Sequence, residues 1–134
     1  MPRIMADNDV AGFVRHLVRI CESEWSDVWA ELACEVVTFQ DLGLVEDAID
    51  ADVWQDCQDN RIVLITGNRN ADDPKSLETT IRTRNDERCM PVLTLADADR
   101  IFHDREYAGS VVERLLEVLL DLDELLGTGR LYLP

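Results

Sequence analysis

Residues 62–73 combine two kinds of chemistry in one short stretch. Ile62-Val63-Leu64-Ile65 is continuously apolar, and Asn68, Arg69, Asn70, Asp72 and Asp73 follow within a few positions. The apolar part predicts a strand buried on both faces. Such strands belong to parallel sheets covered by helices, and ligands gather beyond their carboxyl ends. Two other apolar runs also end in acids. Residues 2–6 lead into Asp7-Asn8-Asp9, and residues 90–95 lead into Ala96-Asp97-Ala98-Asp99. Carboxylates gathered at one edge repel one another unless protons or cations offset them. Oxygen-rich groups of this kind select Mg²⁺ or Mn²⁺. Such an ion activates water and neutralises charge developing on a phosphodiester. Any single Asp at a strand end has a turn or a helix cap as its ordinary role, so the clustering counts for more than any one acid. Arg69 and Lys75 are the nearest cations, placed either to contact phosphate or to neutralise Asp72, Asp73 and Glu78.

The bulk numbers set the frame. The chain has 134 residues, the size of one domain, and 46% hydrophobic residues supply a core. Acids outnumber bases 28 to 13, for a net charge of −15. That surface repels nucleic acid unless positive charge is gathered locally or metal ions intervene. It suits a basic partner. Cys21, Cys34, Cys57 and Cys89 are widely spaced, with no CxxC pattern, which argues for buried free thiols over zinc or disulfide-exchange chemistry. No signal peptide opens the chain and no apolar run has the length of a membrane span, so the expected setting is a reducing cytoplasm.

The elements that must position the acids can be read in order. Residues 2–6 form a first strand. Asp9 is placed to cap the helix that follows, in which Val10, Phe13, Val14, Leu17, Val18 and Cys21 share one face. His16 falls mainly on the solvated side. Residues 23–33 predict a short helix, and residues 36–39 a β-branched and aromatic strand. Residues 47–60 predict a helix with Asp47 or Asp50 at its cap, Val53, Trp54 and Cys57 inward, and Asn60 as its stop. Another helix is expected to begin at Pro74-Lys75 and to carry Leu77, Thr80 and Ile81 inward over residues 76–84, and residues 90–95 predict a fourth strand. The last helix is expected over about 105–126, ended by Gly127 and Gly129, with a short strand at 131–133. Its wide leucine face must cover the sheet or a partner protein. Strands alternating with helices predict a three-layer α/β domain with a mainly parallel sheet. Right-handed crossovers then set all strand ends, with Asp7, Asn68 and Asp97, at one edge.

A resemblance sharpens this. Met5-Ala6-Asp7-Asn8-Asp9-Val10, residues 36–44, residues 50–57 and Ile62-Val63-Leu64-Ile65-Thr66-Gly67-Asn68-Arg69-Asn70 resemble, in order and spacing over about residues 3–73, the PIN-like predicted nucleases found beside toxin–antitoxin operons. The resemblance implies a single PIN-like domain and an endoribonuclease dependent on Mg²⁺ or Mn²⁺. In that family an Asp closes the first strand, an Asp starts a central helix, and a Thr-x-Asp-x-Asp segment follows the next strand. By position, Asp7 matches the first acid, and Asp50 the second with Asp52 as its near competitor. Asn68 and Asn70 stand where two family acids belong. An amide oxygen ligates Mg²⁺ without supplying charge, so each change weakens the site unless Asp72 or Asp73 compensates.

Three functions are then weighed. The first is a metal-dependent nuclease acting on RNA, with Asp7, Asp50, Asn68 and Asn70 at the reaction, Asp72 completing the metal set, and Arg69 and Lys75 on phosphate. The second is a catalytically silent PIN-like module that binds or regulates, paired with a basic antitoxin-like protein. A receiver-like module is the third, and it lacks the expected late lysine, since no Lys follows Lys75. The broad apolar face of the last helix and the family habit of pairing suggest a homodimer.

Overall fold

A computed structural model describes residues 1–67 and 76–134. Five strands, β1 (Arg3–Ala6), β2 (Glu35–Val37), β3 (Val63–Thr66), β4 (Val92–Leu95) and β5 (Arg130–Leu133), form one sheet in the order β2-β1-β3-β4-β5. Every pairing is parallel, with Met5 opposite Val37 on one side and Leu64 on the other. The helices are α1 (Ala11–Glu24), α2 (Ser26–Leu32), α3 (Asp50–Asp59), α4 (Leu77–Arg84), α5 (Ala98–His103) and α6 (Arg105–Leu120). The three-layer α/β architecture expected from the sequence is present. No helix among the described residues is long and apolar enough to cross a membrane.

The period of two along each strand divides the core. Ile4, Val63, Ile65, Leu93, Leu95 and Leu133 face α1, α5 and α6. Met5, Leu64 and Val92 face Val53, Trp54 and Cys57 of α3 and Leu77 and Ile81 of α4. β3 is buried along its whole length, which is why its residues are apolar without alternation. The wide face of α6 is used up on the sheet, since Val111, Val112, Leu115 and Val118 are wholly inaccessible.

The crossovers do not all share one hand. Passing from β1 to β2 moves toward one edge and crosses on the α1 face. The steps β2 to β3 and β3 to β4 move the other way and cross on the α3–α4 face, so these three agree. The step from β4 to β5 continues in that direction yet crosses on the α1 face through α6. Its hand is opposite, so the near-universal right-handed rule is broken at least once. The cause lies in burial: α1 alone cannot cover the apolar residues of β3, β4 and β5. β5 is patterned to match. Leu131 and Leu133 point to α6, while Arg130 on the other face pairs with Glu78 of α4 at 2.9 Å and donates to Thr94 Oγ1 at 2.5 Å.

Several boundaries differ from those expected. β2 stops at Val37 because Thr38 and Asp41 bond each other's backbones, at 2.9 and 3.2 Å, and fold residues 38–42 into a turn. The helix expected from residue 47 begins at Asp50, and its cap position is Ile49. The last helix stops at Leu120, since Asp121, Asp123 and Glu124 oppose the negative end of its dipole. α5 is an addition to the expected elements. It contributes one buried residue, Ile101, and Asp104 ends it by capping α6 through the Tyr107 amide.

All four cysteines are free. Burial is the first cause of their raised values: Cys21 and Cys57 are pushed up to about 12 and Cys34 to about 11.

Candidate metal and phosphate site

The carboxyl ends of β1 and β3 lie side by side, and at this edge the acids meet. Asp7 immediately follows β1. Its amide donates to Ile65 O at 2.8 Å, which locks the two strand ends together. Its carboxylate accepts from the Asn8 amide at 2.9 Å and from the Thr66 hydroxyl at 3.2 Å. Asp7, not Asp9, is therefore the capping acid, and the turn it caps is the single 3-10 turn Asn8–Val10 that leads into α1. Asp9 lies inside that turn.

Gly67 closes the gap from the β3 side. A Cβ at this position would stand 3.1 Å from Val10 Cγ1 and 3.6 Å from a carboxylate oxygen of Asp9. The contact places Asp9 against the chain just before residues 68–75. Asp50 arrives from α3. Its Oδ2 accepts from the Leu77 amide at 3.1 Å, tying the starts of α3 and α4 to one another. This is a favourable place for an anion, since both helices present their positive ends. The Asn8 side chain donates to Glu46 O at 2.8 Å and anchors the loop that leads to α3.

The acids feel one another. Burial pushes the Asp7 carboxyl above its ordinary value, and Asp9 and then Asp50 push it further, against the bonds from Asn8 and Thr66. Burial also raises Asp9, and Asp50 adds to it. An acid raised in the fold is stabilising below its ordinary value, and that contribution is lost as pH climbs through the raised value. Asp7→Asn keeps the cap and the shape but cannot ionise. The two proteins are thus expected to have equal urea midpoints near pH 3, with the variant pulling ahead as pH rises toward neutrality. A difference that stays constant at all pH values would show that ionisation of Asp7 is not its cause.

Asp97 is not among the charges that act on Asp7 or Asp9, and it occupies the cap position of α5 without a capping bond. Both histidines, His16 and His103, line a different cavity between α1 and α5, where Phe102 stacks near Phe13 at 4.7 Å. Among the described residues, no three His, Cys, Asp or Glu side chains lie close enough together to hold a metal ion. Asn68, Arg69, Asn70, Asp72, Asp73 and Lys75 lie outside the described residues. Of the expected site residues the fold thus brings together Asp7 and Asp50, and it adds Asp9 and Thr66. The signal for Asp9 is its place two positions after Asp7; the capping rule, applied to Asp9 instead of Asp7, hides it.

Compared with known proteins, the chain matches no family model, no curated protein and no solved structure.

Proposed function

We propose that this chain is a PIN-like nuclease that uses Mg²⁺ or Mn²⁺ to hydrolyse RNA internally. The observation that supports it is Asp7 at the carboxyl edge of the sheet, its carboxyl pushed up first by burial and then by the neighbouring Asp9 and Asp50. Carboxylates held in this way gain most from a hard divalent cation, and the donors are all oxygen. Asp7 and Asp50 would hold the ion, with Asn68, Asn70 and Asp72 as further donors and Arg69 and Lys75 on the phosphates. When bound, such an ion would activate water and offset charge on the phosphodiester. The chain's own residues do the rest. Thr66 fixes the orientation of the Asp7 carboxylate, Gly67 lets the backbone approach Asp9, and Asp50 holds the start of α4 against the site.

A panel of defined RNAs incubated with Mn²⁺ tests this. Internal cleavage that disappears in EDTA is expected. Cleavage that persists in EDTA rejects the proposal. Asn68 and Asn70 favour a second reading, a silent module that binds or regulates. Neither cleavage nor calorimetric heat with Mn²⁺ would select it.

Both readings take a basic, antitoxin-like protein as partner. Half-exposed Trp25, Val28 and exposed Leu120 form an apolar strip flanked by Glu113 and Glu117, which complements a basic amphipathic segment. A cytoplasmic setting and a homodimer belong to the same proposal; with the apolar face of α6 spent on the sheet, the dimer rests on the family habit of pairing alone, and light scattering at micromolar concentration decides it.

A further inference from the structure

The end of α3, like that of α2 at Ala33 (φ +50°), places a residue other than glycine in the left-handed region. Arg61 N donates to Gln58 O at 3.1 Å and Ile62 N to Cys57 O at 2.8 Å, the paired bonds of a Schellman stop. Buried Ile62 packs in the same cluster as Cys57, as that motif requires. The residue in the left-handed position is Arg61, at φ +56°. Glycine is the ordinary occupant, because any Cβ is strained there. A strained residue that persists invites the question of what its side chain does.

Its guanidinium lines a cleft of about 500 Å³ at the amino end of the sheet, opposite the carboxylate edge. Arg61 Nη1 donates to Arg88 O at 2.6 Å, so side chain and loop are held together. Arg84, the last residue of α4, and Arg88 line the same cleft. Arg84 Nη1 reaches Gln55 Oε1 at 3.5 Å. Gln58 clamps the loop by bonding both the amide and the carbonyl of Met90, at 2.8 and 3.0 Å. The site is thus preorganised from both sides.

Two acids also line the cleft, Asp59 and Asp86. Asp59 accepts from Gln55 at 2.9 Å, and Asp86 turns back on the Arg88 amide at 2.8 Å and the Cys89 thiol at 3.4 Å. Neither forms an ion pair with an arginine. Among the described residues, Arg3, Arg100, Arg105, Arg114 and Arg130 form ion pairs with carboxylates, while Arg61, Arg84 and Arg88, like Arg15, Arg19 and Arg82, form none. In a chain of net charge −15, Arg61, Arg84 and Arg88 gather in one cleft beside two acids whose bonds go to neutral groups, although Asp86 also feels the charge of Arg88.

We propose that Arg61, Arg84 and Arg88 bind an oxyanion of the phosphate class, either free phosphate or the terminal phosphate of a small phosphomonoester. Planar guanidinium groups match such an anion by paired hydrogen bonds. The simpler role for these cations is to offset the negative ends of α3 and α4. That role needs no strained backbone, and it predicts no ligand.

Calorimetry on the full chain, titrated separately with inorganic phosphate and with AMP, tests the site. Binding of at least one is expected, and the tighter of the two identifies the source. Arg88→Ala and Arg61→Gly should each weaken it at least about 10-fold, as loss of a charged hydrogen bond does. Arg114→Ala, on the far side of the molecule, should leave it unchanged. Arg61→Gly should at the same time raise Tm by about 3 °C by relieving the backbone. No binding at millimolar phosphate or AMP, or binding indifferent to both cleft variants, overturns the proposal.

Discussion

Asp7→Asn is expected to remove RNA cleavage in Mn²⁺ by at least about 100-fold, the upper range for losing even an outer partner of a metal ligand, while leaving the protein folded and no less stable at pH 7. The two halves of this result have one cause. Asn caps a turn as well as Asp does, so the bond from the Asn8 amide survives. What disappears is a charge that burial, Asp9 and Asp50 all disfavour. The same charge is what a divalent cation would use. Activity measured beside a thermal melt separates the cases. A variant that cleaves normally would remove Asp7 from the reaction, and one that unfolds would make its role structural. Asp9→Asn should show a weaker version of the same pattern, because Asp9 sits at the rim and holds no capping bond.

Leu115→Ala is expected to lower stability by about 3–5 kcal/mol, read from the urea midpoint at unchanged slope. Leu115 is wholly inaccessible and lies where α6 meets the sheet. That loss is a large part of the roughly 5–15 kcal/mol available to a domain. Leu115→Met keeps the volume and should lose less than about 1.5 kcal/mol. A loss below about 1 kcal/mol for the alanine variant would mean that α6 is not the cover of this face. The same test probes the opposite-handed crossover, because it is α6 that carries the chain back over the sheet.

Some of these features are legible in the sequence, and others are hidden for definite reasons. Residues 62–66 are readable because burial on both faces leaves a continuous apolar run. Asp7 is readable as the acid that ends a strand, and Asp50 as the acid that starts a helix. Local bonds defeat the pattern elsewhere. Thr38 is β-branched, yet its exchange with Asp41 takes the backbone out of β2. α5 has only Ile101 buried, too little for a period to show. The hand of the last crossover depends on which face of the sheet lacks cover, a property of the assembled layers that no local window carries. The cleft of Arg61, Arg84 and Arg88 draws on three separate elements, and nothing in the spacing of those residues joins them.

The buried thiols give the molecule a reporter of its own opening. With values near 12, Cys21 and Cys57 are thiolate in roughly one part in 100,000 at neutral pH, and the thiolate is the reactive form. Cys21 of α1 is buried in the cluster on one side of the sheet and Cys57 of α3 in the cluster on the other, so each thiol keeps watch over one face of the sheet. The rate at which a thiol reagent labels each one therefore counts how often that face comes apart. Two clocks on opposite sides of one sheet would show whether its layers separate together or one at a time.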